Sequence, residues 1–223
     1  MEDSMLNRIR TSPLWARVIP FAVFAVLTLL QGRLGEAMQY WIYAFKAVVC
    51  AWLLWSMRSQ LQEMKWKFSL GAAATGVLIF LVWVGLDGHY PILAQRTGSF
   101  DPIRTFGQGS ALGISFIVVR ILGSSLVVPP LEEVFYRSFI YRFISQSQFW
   151  KVPLGRFELI PFLFAGIVFG MSHYEWLPGI LCAFAYQGLV CWKKRLGDAI
   201  MAHAVTNFLL GLWVVFRGAY YFW

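Results

Sequence analysis

Long apolar runs, separated by short polar and basic stretches, repeat along the whole chain. They fall at 15–31, 38–57, 68–86, 111–128, 158–174, 176–192 and 197–216. Each approaches the roughly 20 residues an α-helix needs to cross the hydrocarbon core of a bilayer. The runs are continuous and too long for buried strands, so they predict helices. The longest polar interval, DGHYPILAQRTGSFDPIRTFGQGS at 87–110, carries the Gly and Pro content of a loop. The segment 130–146 stands apart. It follows Pro129-Pro130, has a helical pattern and contains Glu132, Glu133, Arg137 and Arg142. An eighth crossing and a helix lying partly in the membrane interface both fit it. The pattern therefore predicts an all-α fold, a polytopic transmembrane bundle of 7–8 helices.

Composition points the same way. Of the 223 residues, 59% are hydrophobic and 13% charged, with a mean hydropathy of +0.62. A soluble domain carries about 25% charge, and a soluble reading here would leave no polar surface. The formal net charge is +8. The basic residues sit between the apolar runs, where membrane-flanking loops concentrate Lys and Arg, so no nucleic-acid partner is implied.

Lys and Arg placement also sets an orientation. With seven crossings and a cytoplasmic N-terminus, the inner side holds Arg8, Arg10, Arg58, Lys65, Lys67, Arg142, Lys151, Arg156 and Lys193-Lys194-Arg195. The outer side holds Arg33, Arg96, Arg104 and Arg217. An eighth crossing would move Lys151, Arg156 and 193–195 outside, so charge favours seven. The start MEDSMLNRIRTSPLWAR is polar and basic and no small-residue cleavage site follows the first apolar run, which predicts a retained first helix. Cys50, Cys182 and Cys191 lie inside apolar runs without C-x-x-C spacing and read as buried free thiols. Since every segment is of one kind, 1–223 is expected to form a single membrane domain, multi-pass in a bacterial inner (plasma) membrane.

The candidate chemistry lies where polar residues interrupt the apolar runs. In PPLEEVFYRSF, residues 129–139, two carboxylates and an arginine sit in apolar surroundings. A charge inside a bilayer costs at least about 2.5–3.5 kcal/mol and is retained where it is paired or works. Glu133 and Arg137 are four apart on one helix face and can form an ion pair. Glu132 is turned about 100° away and is left to face a polar cavity. From this stretch alone, an interfacial charge cluster at a helix start is an equal alternative.

Two further stretches alter the balance. FGMSH places Phe169 and His173 four apart, and HAVTN does the same for His203 and Asn207. A lone intramembrane His is ordinarily a helix-to-helix hydrogen-bonding residue. A Glu, two His and an Asn on three apolar segments form a more site-like set. A carboxylate and a His can together hold and deprotonate a water, and a His and an Asn can donate to an oxyanion. That inventory suits amide hydrolysis without a covalent intermediate.

EEVFYR, FGMSH and HAVTN, in that order, resemble the three motifs of the CAAX prenyl endopeptidase and bacteriocin-processing family, also called the Abi or CPBP family. The family pattern is E-E-x-x-x-R, F-x-x-x-H and H-x-x-x-N or H-x-x-x-D. The resemblance covers roughly 115–216; residues 1–110 carry no recognised motif and 111–216 would be the catalytic helix core.

The resemblance implies a glutamic-type intramembrane endopeptidase, an all-α bundle enclosing an intramembrane polar cavity. By the same resemblance, Glu132 is the general base, His173 positions the water, and His203 and Asn207 form the oxyanion hole. Glu133 and Arg137 are the supporting pair and Phe169 packs the site. The implied partners are the lipid bilayer and a membrane-associated protein or peptide substrate, lipid-modified in the prenyl endopeptidases. No cofactor is implied. Zinc is the lower-ranked alternative, with Glu132, His173 and His203 as three ligands and water in the fourth position. Asn207 fits an oxyanion donor better than a zinc ligand.

Other function classes predict other patterns. A proton-coupled transporter would more often show paired halves with broken helices, and no such symmetry is present. A catalytically silent membrane partner or bacteriocin self-immunity protein would be expected to lack a motif residue, and none is missing. One geometric difficulty stands. Counting puts His173 near the far end of its helix and His203 about two turns into a helix entering from the opposite face. They meet only if the helices tilt or one re-enters.

Overall fold

A computed structural model describes residues 12–31, 33–93 and 100–223; Arg8, Arg10 and Arg96, assigned above to membrane sides, lie outside them. Among the described residues there is no strand. The helices are α1 (Pro13–Gln31), α2 (Met38–Ser56), α3 (Leu70–Gly85), the short α4 (Pro102–Phe106), α5 (Ala111–Ser145), α6 (Leu159–Met171), α7 (Trp176–Lys193) and α8 (Gly197–Arg217). By length and composition α1, α5 and α8 can each cross a membrane, and α3 and α6 are shorter apolar helices.

The polarity of the fold is inverted relative to a soluble protein. Phe68, Leu70, Ile160 and Phe216 stand exposed on the outside. Arg17, Lys46, Glu132, Glu133, Arg137, Asp198 and His203 are buried. In water both placements would be unfavourable. In hydrocarbon both are the stable choice, because polar groups must then find partners or a cavity inside the protein. The chain is an integral membrane protein.

Charged loops gather at two ends. At one end Arg17 donates to the Gln60 carbonyl (3.2 Å), Arg142 to the Phe149 carbonyl (3.0 Å) and Lys194 to the Gly155 carbonyl (2.6 Å). At the other, Trp176 donates to the Pro91 carbonyl (2.9 Å), Tyr221 to Asp87 (2.6 Å) and Arg104 to Glu36 (2.7 Å).

The main departure from the sequence pattern is α5. Residues 130–146 are neither a separate crossing nor a separate interfacial helix; they continue 111–128 in one helix of 35 residues. At 1.5 Å per residue it is about 52 Å long, against a hydrocarbon core of roughly 30 Å. Pro129-Pro130 does not break it because the hydrogen-bond register changes on both sides. Gly123–Val127 and Val134–Ile140 are π-helical, flanking an α-helical turn at Val128–Glu133. Val128 N–H reaches back five residues to the Gly123 carbonyl. Pro129 has no N–H to offer. The Ser124 carbonyl is thus bypassed by the main chain and needs another donor.

The counting difficulty is resolved by the length of α6. Its 13 residues span only about 20 Å, less than the roughly 30 Å hydrocarbon core, and His173 just beyond its end lines the same cavity as His203. Small residues let α6 and α7 close tightly: a Cβ on Gly170 would lie 2.6 Å from the Ile180 nitrogen. On the opposite wall, Ser69 caps α3 and donates to Asp198 at the start of α8 (2.6 Å). Higher up, Gly76 leaves room for the Ala202 carbonyl, which a Cβ would approach to 2.5 Å.

Candidate active site

These constraints bring the three motifs to one cavity of about 180 Å³, which Glu132, Phe169, His173, His203 and Asn207 all line. The N-terminal helices supply part of the wall through Phe24, Tyr43 and Trp83.

The adjacent glutamates of α5 have different surroundings. Glu133 is fully buried and doubly engaged. One oxygen is 3.0 Å from Arg137 Nε and the other accepts from His203 Nδ1 at 2.9 Å. Arg137 lies over the Phe169 ring, 4.3 Å from its centroid. Glu132 is only 7% exposed, yet among the described residues it has no hydrogen-bond or ion-pair partner, and its Oε2 is wholly buried. A buried carboxylate without a protein partner is unfavourable unless the cavity it faces makes use of it.

Both histidines are fixed through Nδ1. His173 Nδ1 donates to the Phe169 carbonyl at 2.8 Å, and His203 Nδ1 donates to Glu133. Carbonyl and carboxylate oxygens only accept, so Nδ1 carries the proton in each ring and Nε2 is the nitrogen left for chemistry. Phe169 sits between the rings, at 4.7 Å from His173 and 6.2 Å from His203. Tyr186 stacks on His203 at 5.2 Å. Its hydroxyl donates to Thr206 (2.7 Å), which in turn donates to the Gly76 carbonyl (2.9 Å). Asn207 Nδ2 donates to the Ser124 carbonyl at 2.8 Å, the acceptor bypassed in the π turn. One amide hydrogen is thereby fixed and the second is free to donate.

Sequence reasoning paired Glu133 with Arg137 and missed its second partner, His203. It also missed the Ser124 carbonyl, Tyr186, Thr206 and Trp83, whose ring lies 5.9 Å from that of His173. Spacing within one helix signals the first pair. The others are contacts between helices and leave no such signal.

Among the described residues, no three His, Cys, Asp or Glu side chains come close enough together to hold a metal ion.

Residues 113–209 match the family model described as type II CAAX prenyl endopeptidase Rce1-like. The segment holds all three motifs, and the family agrees with the resemblance carried by EEVFYR, FGMSH and HAVTN. The Rce1-like match supports a CAAX-type intramembrane protease in general. No curated protein and no solved structure matches the chain.

Proposed function

We propose that the chain is a glutamic-type intramembrane endopeptidase that hydrolyses a peptide bond of a membrane-associated protein or peptide. The observation that carries this is the contrast at 132–133: Glu133 is committed to Arg137 and His203, while Glu132 lines the cavity with no protein partner.

In this reading Glu132 takes a proton from a water that also donates to His173 Nε2, and the resulting hydroxide attacks the scissile carbonyl. The second Asn207 N–H, and Nε2–H of His203 in its imidazolium form, donate to the oxyanion. Glu133 holds the imidazolium against Arg137 behind it, and Glu132 returns the proton to the leaving amine. No metal is required. The match and the cavity support the class of reaction; the roles of the individual residues are proposals, as is 111–216 being the catalytic core.

Purified protein should cleave peptides without bound metal and in the presence of a strong chelator. Glu132→Gln should lower turnover by about 10²–10⁴-fold. Asn207→Ala should lower kcat by about 10²–10³-fold with KM nearly unchanged, since the donor acts in the transition state. Stoichiometric zinc, with activity removed by chelator and restored by zinc, would overturn the mechanism.

A further inference from the structure

The opposite side of the α5–α8 seam carries a second recess. It is a groove of about 320 Å³ that shares no residue with the catalytic cavity. Met201, Val205 and Phe208 form one stripe of α8 at helical spacing, and Leu126 lies across from them on α5. Trp66 and Phe68 wall the groove near the start of α8, where the Lys65–Lys67 backbone lies against Gly197. Apart from Ser125, the lining side chains are all apolar. Phe68, Leu126 and Phe208 stay exposed, so the groove opens on the membrane side of the protein.

Trp66 also lines a second hollow, in the loop between α2 and α3, together with Arg58, Ser59, Gln62 and Lys65. That hollow is basic. Arg58 is held in place there: its Nη1 donates to the Trp55 carbonyl (2.8 Å) and its guanidinium lies 4.4 Å from the centre of the Trp55 ring. Glu63 is the only carboxylate in residues 57–67, and it turns inward to accept from Arg17 Nε (2.9 Å) and from Ser138 (2.5 Å). Among the described residues neither Arg58 nor Lys65 forms an ion pair. A basic hollow at the loop end of the bundle and an apolar groove along a crossing helix thus share one indole, the side chain favoured at the boundary between water and lipid.

We propose that these two recesses are one binding site for an anionic phospholipid, with its phosphate at Arg58 and Lys65 and one acyl chain in the α5–α8 groove. Charge and polarity together select this occupant. A partner helix would cover the groove and leave both cations unmatched. A soluble phosphate would match the cations and leave the groove unfilled. A phospholipid does both, and anionic headgroups are drawn to basic loops at the membrane surface. The stripe from Met201 to Phe208 rises about 10 Å along α8, in the direction a lipid chain takes. The site also adjoins the catalytic machinery from behind. Ser125 and Leu126 belong to the π turn Gly123–Val127, beside the Ser124 carbonyl that holds Asn207. A chain in the groove therefore packs against the seam that this bond closes. The lipid site does not rest on the protease reading, and its test needs no cleavage.

The test uses the full-length protein in a nonionic detergent, with phosphatidylglycerol and phosphatidylcholine of identical chains as probes. Retention is read by native mass spectrometry, and stabilisation by thermal unfolding. A Lys or Arg near the surface is worth about fivefold in affinity for an anionic lipid. Phosphatidylglycerol should therefore be retained about 10- to 30-fold more strongly than phosphatidylcholine, and should raise the Tm more. Arg58 and Lys65 are exposed, so the double variant Arg58→Gln, Lys65→Gln should fold. It should erase the preference and leave phosphatidylcholine retention unchanged. Met201→Trp fills the groove and should weaken both lipids about tenfold or more. Phe68→Gln removes a wall at an exposed position and covers the case in which the tryptophan variant does not fold. Equal retention of the two lipids by the parent overturns the proposal. So does a preference that survives the double variant. Retention that both groove variants leave intact also overturns it, because the cations would then act without the groove. Two competitors test the other occupants. Displacement of phosphatidylglycerol by equimolar glycerol phosphate would assign the hollow to a soluble anion. Displacement by an equimolar polyleucine transmembrane peptide would assign the groove to a helix. Either result overturns the lipid site.

Discussion

Glu132 and Glu133 are neighbours with the same chemistry and opposite commitments, and their partners make the difference. Glu133 is fully buried between Arg137 and His203, so it can remain a carboxylate only while a cation compensates it. Removing Arg137 leaves that charge with His203 alone of its two partners and takes away a guanidinium packed over the Phe169 and Tyr186 rings. Arg137→Ala is therefore expected to destabilise the fold by about 3–5 kcal/mol, the usual penalty for breaking a buried pair from one side. Thermal unfolding in detergent should show a clearly lowered Tm before any specific kinetic defect is resolved. A Tm equal to the parent's would mean that the pair is structurally idle.

The properties of the site are set at the level of whole elements by hydrogen-bond register. In α5 the π turn before Pro129 bypasses the Ser124 carbonyl, and Asn207 on α8 takes it. Pro129→Ala would restore an N–H at 129 within reach of that carbonyl and compete with Asn207 for it. Thermal stability should be unchanged or raised, since a helix-breaking residue is removed. Turnover should fall about tenfold or more, because small misplacements of a catalytic group are costly. Undiminished kcat in a folded Pro129→Ala protein would show that the carbonyl does not position Asn207. α6 supplies the other half of the placement. Its shortness lets His173, just beyond its end, line the cavity, and Gly170 lets the α6–α7 hairpin close tightly.

At the scale of the molecule, the charged loops divide between two ends, and the end holding Arg58, Lys65, Lys151, Arg156 and Lys193-Lys194-Arg195 is expected to face the cytoplasm. Single cysteines replacing Ser59 and His89 should react with a membrane-impermeant maleimide from opposite sides: His89→Cys in intact cells, Ser59→Cys only after lysis. The reverse pattern would invert the orientation. Most of this architecture was legible in the sequence, because apolar runs of crossing length allow few folds in a bilayer, and every long helix falls on such a run. The meeting of the motif residues was suggested by their rarity in apolar chain. The continuity of α5 was not legible, since Pro129-Pro130 reads locally as a boundary and only the π register carries the helix through it. The bonds from Glu133 to His203 and from Ser124 to Asn207 were equally hidden, as nothing in either segment names its partner. The second of these bonds limits what residue 207 can be. The family pattern admits an amide or an acid there, but the Ser124 carbonyl accepts and never donates. An ionised aspartate would set oxygen against oxygen. In this chain, then, a proline on one helix chooses asparagine over aspartate on another: the two positions should change together or not at all.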